Sequence, residues 1–413
     1  MNLRQNQPPV LRQLSVRAVM DVLLQEGPTS RATLAKRTGL SKQTMSEVIR
    51  ALEDAGWVQV NGIVSGKVGR SAVTYAVAEE SAYGIGVDLG VTTIRIAVVS
   101  ISGRIVHEIE HPTEGRAGEA LIAYVQDLAE KLLHHAGIPF DKVLLGAVAT
   151  PGVVDPQSGH LALAPDMAET GRLDVVRRLS EALGCPVVIE NDVNAAALGE
   201  SWKGCSAGLE ASAFISLGTG VGLGMLVNGR LMRGARGAAG EIAYLPFGGD
   251  PYSEESLERG ALESAIGVPT ILARYRAGGG HQSTMPGLLQ EAEAGQEPAR
   301  AVIRETARFA AFLILSVNAM IDPQTIVLGG NVGRHPLVLD LVRQELLRIT
   351  RHRIDLQPSQ LGSRATLVGA IAIALNQMHN TLFSPQDWPG EIRLPGASRA
   401  EPAAKKTVKD CAG

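Results

Sequence analysis

Three strings in this chain combine residue types suited to holding sugars and phosphates. The first is Asp88-Leu89-Gly90-Val91-Thr92-Thr93, set between the apolar runs Tyr83 to Val87 and Ile94 to Ser100. Strand, small turn and returning strand make a hairpin with Asp88 and Thr92 at its tip. A carboxylate so placed can take magnesium or its water beside a phosphate. The second is Gly218-Thr219-Gly220-Val221-Gly222-Leu223-Gly224, which follows the strand-like Ser212 to Leu217 and leads to the turn pair Asn228-Gly229. Repeated glycines either let backbone N–H groups crowd a phosphate or serve the close packing of strands. Because this string runs into a hairpin rather than a helix, it is not a dinucleotide-binding fingerprint. The third is Val187-Val188-Ile189-Glu190-Asn191-Asp192-Val193-Asn194, followed by the small-residue run Ala195 to Glu200. An apolar strand here delivers Asn191 and Asp192 to its carboxyl end, where open α/β sheets place ligands. Asp192 can accept a proton from a sugar hydroxyl and Asn191 can bind its neighbours; alternatively both are turn residues at a helix start.

The elements that must position these strings alternate from Tyr83 onward between β-rich and helical stretches with glycine loops, which predicts an α/β fold. The first eighty residues differ. Ser15 is expected to cap a helix through Val16, Val19, Met20, Leu23 and Leu24, stopped by Gly27-Pro28. Thr29 or Ser30 caps a second helix ending at Gly39. Ser41 caps a third, with Met45, Val48, Ile49 and Leu52 inward, ending near Gly56. Trp57 to Val60 and Val73 to Val77 then frame a glycine-rich loop as a two-stranded wing. Three short helices with a tight turn before the third make a helix-turn-helix. The outward face of the third helix carries Ser41, Lys42, Gln43, Thr44, Ser46 and Arg50, donors and acceptors of the kind that reach base edges in a major groove. Lys67 and Arg70 on the wing loop suit phosphate or a minor groove. A small helical domain with a solvated basic face is the plainer alternative.

Charge separates the two parts. The overall charge is −3, yet residues 1–78 carry +5 and the remainder −8. A basic module on an acidic body fits contact with a polyanion through the first part only. The three cysteines, Cys185, Cys205 and Cys411, form neither a disulfide framework nor a zinc cluster. With a polar start and no run near the ~20 apolar residues of a membrane span, a cytoplasmic protein is expected.

Over about residues 11 to 385 these strings, in this order, resemble the ROK family of sugar kinases and sugar-responsive repressors (repressor, open reading frame, kinase). The resemblance implies a winged helix-turn-helix at 1–80 and a two-lobed, actin-like ATPase (sugar-kinase-like) fold at 81–390. The stretch 391–413, rich in Ala, Lys and Pro, is expected to be disordered. It implies that Asn191, Asp192 and Glu241 bind sugar hydroxyls, with Asp192 the base in family kinases. Gly329-Gly330-Asn331 would make an adenosine-like or structural contact. The implied partners are operator DNA, a monosaccharide or derivative as effector, and a second copy or more of this chain, as homodimer or homotetramer.

The chain departs from the family at two places. Kinases carry D-x-G-G-T-K where this chain has Val91 for the second glycine and Thr93 for the lysine. Val91 resists positive φ and close approach to phosphate, so Asp88, Gly90, Thr92, Gly218, Thr219 and Gly220 are expected to be vestigial phosphate loops, with no catalytic residue and no cofactor. The family's zinc histidine is Tyr244 here, and Phe247 to Glu258 has no cysteine, so no metal is expected. Tyr244 and Glu258 remain candidate sugar contacts. The expectation is a sugar-responsive DNA-binding regulator, a repressor of carbohydrate uptake or catabolism genes. The alternative is an active kinase with an appended DNA-binding module, favoured by Asp192 and the Gly218 loop.

Overall fold

The computed structural model of the protein describes residues 10–65, 71–154, 161–162 and 168–385. Lys67 and Arg70 of the wing loop and the stretch 391–413 lie outside the described residues.

The amino-terminal module contains α1 (Val10–Glu26), α2 (Arg31–Thr38), α3 (Lys42–Asp54), β1 (Val58–Ser65) and β2 (Ser71–Val77). Local capping explains its boundaries. Ser30 caps α2 by accepting from the Thr33 N–H, and Gly39 ends it in the left-handed region that favours glycine. Ser41 caps α3 by accepting from the Thr44 N–H. The start of α1 corrects the sequence reading: Ser15 is not its cap but lies inside the helix, where its hydroxyl donates to the Leu11 carbonyl at 2.9 Å. A serine hydroxyl serves either role, and local sequence does not distinguish them. Val19, Met20, Leu23, Leu34, Met45, Ile49 and Leu52 are buried together. β1 and β2 pair antiparallel, and the two-residue strand Thr29–Ser30 adds to β2. This is a winged helix.

The body is one topology used twice. In the first lobe, β3 (Tyr83–Leu89), β4 (Thr93–Ser100) and β5 (Ile105–Pro112) run antiparallel; β6 (Val143–Thr150) and β7 (Val187–Asn191) then add parallel on the other side of β3. The sheet order is β7-β6-β3-β4-β5. In the second lobe β8 (Ser212–Leu217), β9 (Val221–Val227) and β10 (Arg230–Leu231) are antiparallel, with β11 (Thr325–Gly329) and β12 (Leu356–Pro358) parallel beyond β8. That order, β10-β9-β8-β11-β12, repeats the first. The hairpin tips at 90–93 and 218–220 are therefore equivalent turns of the two lobes.

Two helices cross between the lobes: α4 (Asp192–Lys203), which continues β7, and α5 (Ala365–Phe383). They touch backbone to backbone. A Cβ on Gly199 would overlap the Ala365 carbonyl, and one on Gly369 would overlap the Ala195 carbonyl. Each helix runs from the cleft toward the winged helix. There Arg17 Nη1 donates to Asn380 Oδ1 at 2.8 Å and Ser384 Oγ at 3.0 Å, and Trp57 meets Phe383 edge-on at 5.6 Å. The longest described helix, Glu297–Ile321, is mostly second-lobe core, while its Met320 is exposed.

Candidate functional site

Between the lobes lies a cavity of about 410 Å³. The two hairpin tips face it, together with the α4 amino terminus and the segment around Glu241. The sequence-expected residues Asp88, Gly90, Thr92, Asn191, Asp192, Gly218, Thr219, Gly220, Glu241, Tyr244 and Glu258 all line it. The DNA-reading candidates sit elsewhere, on α3: Lys42, Gln43 and Arg50 are exposed, and among the described residues Lys42 and Arg50 pair with no carboxylate. Ser41 and Thr44 share a hydroxyl contact of 2.9 Å at the helix cap, Ser46 donates to the Lys42 carbonyl at 3.0 Å, and Gln43 donates to Glu47 at 3.1 Å.

Both Asn191 and Asp192 take part in the helix start, and both line the cavity. Asn191 caps α4: its Oδ1 accepts from the N–H groups of Val193 and Asn194 at 3.0 and 3.1 Å, and its Nδ2 donates to the Gly152 carbonyl at 3.1 Å. Asp192 accepts from the Val193 N–H at 2.8 Å through Oδ1. Burial raises its pKa above the ordinary carboxylate value, against the pull of backbone N–H groups. Glu241 faces the same cavity with its pKa raised by burial, then by the charges of Asp192 and Glu263. Carboxylates in a shared, poorly hydrated space favour partners that donate hydrogen bonds without bringing negative charge, and sugar hydroxyls are such partners. The Tyr244 hydroxyl donates to the Glu258 carbonyl at 3.2 Å, leaving its oxygen as an acceptor.

The glycine string serves close packing at two positions and opens on the cleft at a third. A Cβ on Gly222 would press on Val193 at 2.6 Å, and one on Gly224 on Ala197 at 2.8 Å, so these two let β9 pack on α4. Gly218 instead opens on the cleft, its nearest foreign atom being the Asn331 nitrogen at 3.8 Å. Glu263 accepts from the Val221 N–H at 3.0 Å beside Gly220, a role with no mark in the sequence.

Two features of the first hairpin bear on its phosphate-loop reading. Val91 keeps a negative φ and stands 36% exposed at the cavity edge, so the turn holds a β-branched residue without backbone strain. A cation other than the family's lysine also reaches the loop. Arg95 lies directly across the strand pair from Asp88 and donates to its Oδ2 at 3.1 Å, while its Nε reaches Glu110 at 2.8 Å. Burial still raises the Asp88 pKa to about 7 despite Arg95. The hairpin register, counted outward from the tip, was the signal that pairs these two residues. Asp88 is thus engaged by a guanidinium from its own sheet. Among the described residues no group of three or more His, Cys, Asp or Glu side chains could hold a metal ion.

Comparison with known proteins gives consistent likenesses. A sequence profile of the ROK family matches residues 84–377, and one of the MarR family matches residues 14–78. The xylose repressor of Caldicellulosiruptor bescii is 25% identical over 390 residues, covering 89% of this chain and 97% of that one. A glucokinase of Halalkalibacterium halodurans is 32% identical over 271 residues, covering 60% of this chain and 80% of the kinase. Among solved structures, a ROK hexokinase from Thermus thermophilus has a TM-score of 0.62 at 29% identity, covering 72% of this chain and 99% of its own. A ROK-family transcriptional regulator, described as a homologue of the Escherichia coli MLC protein, reaches 0.70 at 22% identity over 91% and 98%, a likeness of fold.

Proposed function

The chain belongs to the ROK family, and from that premise we propose that it is a sugar-responsive transcription repressor, with residues 1–80 binding operator DNA and residues 81–390 holding a monosaccharide or close derivative in the lobe-to-lobe cleft. The observation that carries the reading is the joining of these parts: α4 and α5 both begin at the cleft and end beside the winged helix. Lobe closure on a sugar moves those helices, and a dimer whose two winged helices change separation fits paired half-sites better or worse. Relatives matched along nearly their whole length support repression, among them the Caldicellulosiruptor xylose repressor and the N-acetylglucosamine repressor of Escherichia coli O157:H7. Among the described residues no helix is long and apolar enough to cross a membrane; action on operator DNA places the protein in the cytoplasm.

A kinase reading draws on the glucokinase likeness and on Asp192. The Arg95–Asp88 pair speaks against it, because the carboxylate that would meet magnesium is already engaged. The sensor binds sugar and does not turn it over. Calorimetry over D-xylose, D-glucose and N-acetyl-D-glucosamine should find a binder, and Asp192→Ala should lose much of that affinity, at about 1.5–3 kcal/mol per charge-assisted hydrogen bond. Coupled ADP release at ~1–100 s⁻¹ that disappeared in Asp192→Ala would make the protein an enzyme instead.

A further inference from the structure

Beside Asn191 and Asp192, at the end of β7, stands Glu190, whose side chain is only 10% exposed. Its Oε1 accepts from the Asn191 N–H at 3.1 Å and from Asn194 Nδ2 at 3.0 Å. Its Oε2 takes Arg233, through Nε at 2.8 Å and Nη2 at 2.7 Å. Glu190 belongs to the first-lobe sheet, whereas Arg233 follows β10 of the second. The ion pair therefore crosses the cleft. We propose that Glu190–Arg233 is a clasp that holds the two lobes together over the ligand, making Arg233 a positioning residue for sugar binding. This rests on the sugar-sensor reading above.

Three features support it. A nearly buried carboxylate is costly unless paired, so lobe separation at this edge strips Glu190 of its only cation among the described residues. Asn194, 3% exposed, spends its amide on Glu190 and leaves its Oδ1 without a hydrogen-bond partner in the structure, a cost borne at this spot. The segment that carries Arg233 is a strap fixed at both ends to the second lobe. The Met232 N–H donates to the Met225 carbonyl at 2.8 Å, and Gly240, at φ +95°, lies too close to the Leu223 carbonyl for any side chain. Glu241 follows immediately. Pulling Arg233 toward Glu190 therefore draws the strap, and Glu241 with it, toward Asp192.

The test uses full-length wild type, Arg233→Ala and Arg233→Lys. Arg233 is exposed on a loop, so both variants should fold; Arg233→Ala, which leaves the nearly buried Glu190 unpaired, should melt below wild type, and both measurements are made well below either melting point. Two measurements are made: sugar affinity by calorimetry, with whichever of D-xylose, D-glucose or N-acetyl-D-glucosamine binds wild type, and hydrogen exchange over residues 232–241 without sugar. Arg233→Ala should bind about tenfold more weakly, as expected for losing a partly exposed but geometrically good pair. It should also exchange several-fold faster across the strap, and Arg233→Lys should recover part of both. Unchanged exchange overturns the clasp; if affinity nonetheless falls, Arg233 is a direct ligand contact. Faster exchange with unchanged affinity overturns its part in binding. If none of the three sugars binds wild type, the sensor reading fails in its present form, and the exchange measurement alone decides whether the clasp exists.

Discussion

His379 makes the joint between body and winged helix sensitive to acid, in a direction and amount that can be worked out. It lies on α5, 1% exposed, with Nε2 at 2.7 Å from the Ile101 carbonyl, one residue before Asn380, which receives Arg17. Burial pushes its pKa down from 6.5 to about 4, with the Arg17 charge adding to the effect. A base depressed in the folded state contributes stability that is complete above its unfolded pKa and is lost as pH falls toward the folded one. The window here is therefore about pH 6.5 down to 4. The full shift corresponds to about 3 kcal/mol, of which about 2.5 kcal/mol is gone by pH 4.5. His379→Gln keeps a donor for the Ile101 carbonyl and cannot take a charge. Urea unfolding of both proteins at pH 7.5 and 4.5 should show wild type losing about 2–3 kcal/mol more than the variant. Asp88, raised to about 7, acts oppositely, its share of stability growing as pH falls below 7; it is common to both proteins and cancels in the difference. Parallel pH profiles would refute the reasoning.

Three further outcomes are expected. Gly369→Ala forces a methyl into the Ala195 carbonyl at the helix crossing and should cost about 1–3 kcal/mol or more; unchanged urea stability would show that the crossing yields easily. Because Tyr244 and a cysteine-free stretch replace the family's ligands, the purified protein should contain no stoichiometric zinc, and elemental analysis finding one zinc per chain would contradict this. Gln43→Ala should relax base preference at one operator position by about 1–3 kcal/mol, read by binding to single-base operator variants; equal preference in both proteins would remove Gln43 from the readout.

What the sequence made legible was what local rules govern. Ser30, Gly39 and Ser41 set helix ends through contacts three or four residues away, and those ends fall where the pattern put them. The hairpins at Asp88 and Gly218 were legible for the same reason. Ser15 shows the limit of the rule, since the same hydroxyl caps one helix or back-bonds inside another. The doubled topology was hidden because its parallel pairings, such as Gly86 with Ala147 and Ile215 with Leu328, join residues far apart in sequence. Arg95 was legible in principle, being Asp88's cross-strand partner two residues beyond the position where family kinases carry lysine. The role of Glu190 was hidden because its partner Arg233 lies 43 residues away with no pattern linking the two.

In the proposed regulator, a sugar in the cleft changes how the winged helix holds its DNA. The most direct test is fluorescence anisotropy of full-length protein on a labelled fragment of its own promoter, with and without the sugar that binds. A sugar-responsive repressor should show clear preference for that fragment over random DNA, strong salt dependence, and a Kd shifted about tenfold by sugar, a typical coupling of about 1–3 kcal/mol. Asp192→Ala should hold the promoter as wild type does and ignore the sugar. Equal binding to promoter and random DNA, or a promoter Kd that a bound sugar leaves unchanged, would contradict the repressor reading.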